Sequence, residues 1–356
     1  MKTVVMTAPF KIEIIETPIP GIAPDEALVK VAYAGICGTD IDIYKNQTNF
    51  ETKYPHIGGH EWSGIVAEVG KAVKILKPGD RVVGDGILSC NSCIKCVYGN
   101  FSYCEKAKSV GTSEPSIPGA FKEYMAMPER HLFKIPDTVS LLDASLVEPA
   151  GVAARSIEQG RLSPGEMVLV FGTGAIGFFA VQYAKILGAS IIIMAGRNDK
   201  KLKIAREFSG ADYTLNVKVD NPAKILRETI GDKQINLIIE ASGNIRALHD
   251  SLEMVGSFGR ISIPGSYPNK EEKINIAIMP EKEISWIFVN GIGGAQMFSR
   301  VLNFMSTKRL NTKGLITEIF DLEDFAKAME LKLNSSDSIK TVIRIDKSFD
   351  KRLPVS

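Results

Sequence analysis

The sequence has no apolar run long enough to cross a bilayer, which argues against a membrane-spanning chain. It has almost no charge excess either. The 43 Lys and Arg face 41 Asp and Glu, and a net charge of +2 offers no electrostatic footprint for nucleic acid or a membrane surface. No repeat, low-complexity tract or disordered linker interrupts the chain. The opening residues 1–6 carry no apolar signal core and read as a strand, so the expectation is a cytoplasmic protein. Cysteine is scarce, with five in 356 residues. That odd number, in a chain of this size, excludes the disulfide framework of a small secreted domain. Yet Cys90, Cys93, Cys96 and Cys104 fall within one short stretch.

The chain is long enough for two cores. Up to about residue 150 it consists of short apolar runs punctuated by Gly and Pro, such as residues 27–31, 64–70 and 77–83. This texture predicts strands joined by tight turns. From Glu166 onward, strands alternate with helical stretches: strands at 168–171, 191–194, 237–240 and 260–263, and helices after 171, near 200–208 and over 245–255. Such alternation predicts an α/β domain with a parallel, doubly wound sheet. Two more helices, near 295–305 and 322–333, and a last strand at 339–345 follow.

Cys90, Cys93, Cys96 and Cys104 form the pattern C-x2-C-x2-C-x7-C. Two-residue gaps let successive thiolates converge on one ion, and zinc takes four such ligands tetrahedrally. With no position left open, that zinc is structural and pins a loop with little core of its own. An iron–sulfur cluster is the alternative use of four thiolates. The fifth cysteine lies in Gly35-Ile36-Cys37-Gly38-Thr39-Asp40; further on come Gly58-Gly59-His60-Glu61-Trp62-Ser63-Gly64 and Glu148-Pro149. Taken singly, each has a bland reading: a small core residue, a satisfied core histidine, the end of a strand. Together, Cys, His and carboxylate suit a zinc ion that keeps one position for substrate or water.

In this order, with Gly172-Thr173-Gly174-Ala175-Ile176-Gly177 after them, the motifs resemble those of the zinc-dependent medium-chain alcohol dehydrogenases, in particular the polyol (sorbitol) and threonine dehydrogenase branch. The resemblance spans nearly the whole chain. It implies a largely β, GroES-like catalytic domain over residues 1–152, completed by 293–356, and a Rossmann domain over 153–292. It implies a catalytic zinc held by Cys37, His60 and a carboxylate, either Glu61 or Glu148. In such a site Thr39 passes the substrate proton and Asp40 orients the ligand histidine. Three departures stand out. Asp42 replaces the histidine that often serves the proton relay, leaving Asp42, a ribose hydroxyl with water, or His56 as routes. The Arg-Tyr pair of sorbitol dehydrogenases is missing near the domain junction. The Asn290-Gly291-Ile292 stretch there is more similar to threonine dehydrogenases. A homo-oligomer, tetramer or dimer, is implied too, with residues 285–294 supplying edge strands.

The glycine motif follows an apolar strand and opens a helix, the context of a dinucleotide site. Gly172 permits the tight turn, Gly174 lets the pyrophosphate approach, Gly177 lets helix and strand pack, and Ala175 and Ile176 begin the helix whose free N–H groups face the phosphates. NAD-binding chains usually end the next strand in Asp or Glu. Aligned on Lys201-Leu202, that place holds Gly196, followed by Arg197. Without the acid, a 2′-phosphate meets no repulsion, and Arg197, aided by Lys200 or Lys201, supplies a charged fork. The expectation is therefore NADP in preference to NAD. The expected reaction interconverts a secondary alcohol and its ketone, with a polyol, sugar alcohol or sugar as first substrate class and L-threonine or a simple secondary alcohol as second. The competing readings are a non-catalytic nucleotide-binding member and a zinc-free quinone reductase.

Overall fold

The computed structural model describes residues 1–218, 222–231, 233–267 and 271–350. It divides into two compact units, one of Met1–Glu148 with Gly291–Ser356 and one of Pro149–Asn290.

The first unit is built on a mixed sheet. At its centre Glu26–Gly35 runs antiparallel to Glu61–Val69, to Tyr124–Pro128 and to Lys340–Arg344. Arg81–Gly84 and Leu132–Lys134 extend one side, and Ile316–Asp321 extends the other. The alternating apolar residues of these strands close over Val29, Val31, Trp62, Met125, Phe121 and Phe325, all at most 2% exposed. Phe121 and Phe325 meet edge to face at 4.6 Å. The first strand, Lys2–Ala8, forms a hairpin with Lys11–Glu16.

The second unit is a six-stranded parallel sheet. Its spatial order is Tyr213–Asn216, Ile191–Gly196, Met167–Phe171, Ile235–Glu240, Val255–Ile263 and Ser285–Phe288. The three central strands are almost wholly buried, which is why they read as unbroken apolar runs rather than alternating ones. The order reverses at Met167–Phe171, so the turn after this strand lies at the switch point where doubly wound sheets bind ligands.

Two segments differ from the sequence expectation. Glu148, for which the end of a strand is the bland alternative, lies in the first turn of the helix Val147–Gln159. Pro149 is compatible with that turn because its missing N–H has no intrahelical partner there. The helix expected over 200–208 is α-helical only over Asp199–Ile204; it widens into a π turn over Ala205–Ser209 and stops at Gly210, whose φ is 81°. Among the described residues no helix is long and apolar enough to cross a membrane.

Candidate active site

Strand register assembles the site of the first unit. Gly35 pairs with Glu61, so the segment leaving one strand, Ile36-Cys37, and the segment entering the next, Gly59-His60, come together. Asp40 locks them. It is fully buried; its Oδ2 accepts from the Cys37 N–H at 2.8 Å and its Oδ1 from the Gly59 N–H at 3.2 Å. The resemblance assigns Asp40 to orienting the His60 ring. In the structure its carboxylate fixes the backbone on both sides of the site and acts on His60 by charge; it lies in the first turn of the helix Gly38–Lys45, within reach of the Cys37 N–H at the helix start.

Cys37, His60 and Glu61 each bring one ligand atom to within 4.8 Å of the others. Glu148 stays outside that group, near enough to act on it by charge. The Thr39 hydroxyl lies 3.8 Å from the Cys37 sulfur. Sequence reasoning missed one neighbour altogether: Lys340, 4% exposed, whose ammonium pairs with Glu61 Oε2 and donates to the Ile36 carbonyl at 3.0 Å. The only trace it leaves in the sequence is a single charge among the buried residues of a strand. His56 is also placed: it is buried, and its ring hydrogen-bonds the Gly111 carbonyl at 3.1 Å.

The electrostatics of this cluster ask for a cation. Burial pushes the Asp40 carboxyl up. Burial, reinforced by Glu61 and Asp85, pushes Glu148 up to about 7 against His60 and Lys340. Burial should lower His60, but Cys37, Asp40 and Glu148 outweigh it and hold the imidazole well above its ordinary value. Acids that resist ionising beside a base that holds its proton mark an excess of negative charge. The His60 Nδ1 is buried and has no hydrogen-bond partner among the described residues. Soft thiolate, imidazole and carboxylate around an unsatisfied nitrogen fit a zinc ion.

The four remaining cysteines converge as well, with one sulfur from each within 4.8 Å of the others. The short helix Ile94–Val97 and the 3-10 turn Phe101–Tyr103 shape this lobe. Backbone N–H groups point at the sulfurs: Cys93 N donates to Cys90 Sγ at 3.3 Å, and Cys90 N donates to Cys104 Sγ at 3.2 Å. Hydrogen bonds from the Ser92 hydroxyl and backbone, with that from Cys93, lower Cys90 to about 5. Burial and adjoining sulfurs push Cys96 up to about 12. Four sulfurs this close fit shared coordination of one metal ion.

In the second unit, the Gly172 N–H donates to the Ala195 carbonyl at 3.0 Å, tying the glycine turn to the end of the neighbouring strand. Gly172 has φ 107°, and a Cβ there would meet the Ala241 backbone at 2.8 Å. A Cβ on Gly177 would run into the Gly172 carbonyl, whereas one on Gly174 would meet nothing within 4 Å. The turn is thus closed behind and open at Gly174, at the start of the helix Ala175–Ile186, as a pyrophosphate cradle needs. Gly196 ends its strand buried, and Arg197 is exposed. Asn198 caps the helix Asp199–Ile204 by accepting from the Lys201 N–H at 3.1 Å, and the Lys201 side chain is partly exposed.

Residues 23–137 match the alcohol dehydrogenase GroES-like domain, and residues 175–307 match the zinc-binding dehydrogenase model. Sorbitol dehydrogenase of Bacillus subtilis is 31% identical over 347 residues, covering 96% of this chain and 97% of that one. L-threonine 3-dehydrogenase of Bacillus velezensis is 33% identical over 324 residues, covering 89% and 90%. Two solved structures carry cofactors. A putative zinc-binding dehydrogenase of Sinorhizobium meliloti bound to NADP has a TM-score of 0.88 and 26% identity over 97% of this chain and 99% of its own. An alcohol dehydrogenase of Escherichia coli complexed with NADH has a TM-score of 0.87 and 30% identity over 97% and 99%. From its two matched domains and its end-to-end likeness to these enzymes, the chain belongs to the zinc-binding alcohol dehydrogenase family of oxidoreductases.

Proposed function

We propose that this protein oxidises a secondary alcohol to its ketone, or the reverse, with zinc at Cys37, His60 and Glu61 and with NADP preferred over NAD. The observation that carries this reading is the convergence of those three donors beside the Thr39 hydroxyl. A zinc ion held by Cys37, His60 and Glu61 would supply Lewis acidity toward the alcohol oxygen, and a nicotinamide bound at the glycine turn would supply the hydride acceptor or donor. The chain's own residues do the rest. Thr39 would accept the alcohol proton and pass it on. Asp40 keeps the Cys37 and His60 segments from moving apart. Lys340 neutralises Glu61 within the buried site. The glycine turn would receive the pyrophosphate, and Arg197, exposed next to Gly196, would supply the charge for a 2′-phosphate. Cys90, Cys93, Cys96 and Cys104 would hold a second, structural zinc.

The sorbitol and threonine dehydrogenase likenesses support a polyol, sugar alcohol or sugar as first substrate class and L-threonine or a simple secondary alcohol as second. A spectrophotometric screen of polyols, sugars, sugar phosphates, L-threonine and simple alcohols, run with NAD and NADP in parallel, tests both parts. Turnover of a polyol or sugar with higher kcat/KM for NADP is expected. Turnover of L-threonine alone refutes the substrate class. Equal kcat/KM values for the two cofactors, or a preference for NAD, refute the cofactor choice.

A further inference from the structure

The family reading puts cofactor choice in two consecutive positions, a missing acid at Gly196 and a cation at Arg197. The structure adds a third residue on a different segment. An ideal Cβ built on Gly196 falls well inside contact distance of Thr173 Cγ2, and lies 3.3 Å from Thr173 Oγ1 and 3.5 Å from Leu202 Cδ2. Both branches of the threonine therefore cover the space over Gly196. The backbone leaves little room for retreat. Gly172 N–H is bonded to the Ala195 carbonyl, and the Val217 N–H is bonded to the Gly196 carbonyl at 2.9 Å, so turn and strand end are pinned. Threonine, branched at Cβ, is also stiff about χ1.

We propose that Thr173 is a specificity-determining residue: it occupies the space that a side chain at position 196 would need, and so excludes an acid that could hold the ribose hydroxyls. Arg197 is then the electrostatic half of the discrimination and Thr173 the steric half. Glycine at 196 follows from the threonine in the turn. The proposal rests on the reading that this turn binds the nicotinamide cofactor, and deepens it. It also changes what a switch to NAD requires, since an acid introduced at 196 alone has no place to go.

The test is direct binding of NAD+ and NADP+ to the full-length protein, measured as Kd by intrinsic fluorescence or calorimetry without turnover. Gly196→Asp alone is expected to weaken both cofactors at least tenfold: NADP+ through charge repulsion, NAD+ because the turn is pushed out of shape. Adding Thr173→Ser, which removes Cγ2, should restore NAD+ binding by about ten- to a hundredfold, the scale of a relieved overpacking contact, and leave NADP+ weak. Adding Thr173→Val, which keeps the branch, should not. NAD+ binding by Gly196→Asp as tight as by Gly196→Asp/Thr173→Ser overturns the proposal, as does equal rescue by serine and valine. Gly196→Ala reads the same contact without a charge and without any cofactor. Its loss of Tm is restored by Thr173→Ser if the two positions collide, and is unchanged by it if they do not. That measurement decides the steric claim even where Gly196→Asp fails to fold. The wild-type ratio of the two Kd values separately decides whether the protein prefers NADP, so the two readings fail in different experiments.

Discussion

At the scale of single residues, Lys340 carries the sharpest consequence. A lysine and a glutamate, 4% and 1% exposed, sit side by side among Cys37, Asp40 and His60. Removing one partner of a buried pair leaves the other charge uncompensated, at about 3–5 kcal/mol. We expect Lys340→Met to cost stability on that order in protein stripped of metal with a chelator. In zinc-loaded protein the loss should be clearly smaller, because Glu61 then has a cation to face. Denaturant unfolding in both states checks this, and an equal loss in the two would show that Glu61 does not face the metal. Cys37→Ser should lower kcat by several orders of magnitude while circular dichroism stays unchanged. The residues of this site differ in how legible they were. Cys37 and His60 stand out because their flanking glycines and their order along the chain are specific in combination. Lys340 lies some 280 residues from Glu61, on the last strand, and nothing local marks a lysine whose partner is brought to it only by sheet register.

At the scale of elements, the cysteine lobe spans Cys90 to Cys104 and has only the short helix Ile94–Val97 and the 3-10 turn Phe101–Tyr103 as regular structure. Ile94, Val97 and Tyr98 are exposed, so little apolar burial holds it together. A metal bound by four thiolates would then supply most of its order. Cys93→Ser should lower Tm and increase protease cleavage within this lobe, and should leave kcat of the protein that remains folded within about twofold. Unchanged Tm and cleavage would mean that the lobe is held by something other than the sulfurs. Among elements, legibility followed periodicity. The buried strands Met167–Phe171 and Ile191–Gly196 announced themselves as apolar runs before glycine. The helix Val147–Gln159 did not, because Pro149 near its start resembles a break, though proline is tolerated in a first turn. The hairpin partner Lys11–Glu16 was also unseen: charged residues alternate with isoleucines, and most of them are exposed, so no apolar face marked it.

At the scale of the whole molecule, the open question is how many chains act together. Ser285–Phe288 is the last strand of the six-stranded sheet, and among the described residues it pairs only with Val255–Ile263, on one side. Its outer N–H and C=O groups form an edge, and such edges are either blunted or paired. This one is not blunted within its own span: it reads Ser-Trp-Ile-Phe, with neither charge nor proline, and Phe288 is 62% exposed. We propose that this edge pairs with its own copy about a two-fold axis, giving a dimer or the dimer within a tetramer. Light scattering on purified protein should therefore give a mass at least twice the 38.8 kDa of one chain. Phe288→Lys puts a positive charge on this edge in both copies and should shift the mass toward the single chain, the more so at low salt, where screening is weakest. A wild-type protein that remains a single chain at working concentration would rule this association out, and the exposed Phe288 would then need another partner.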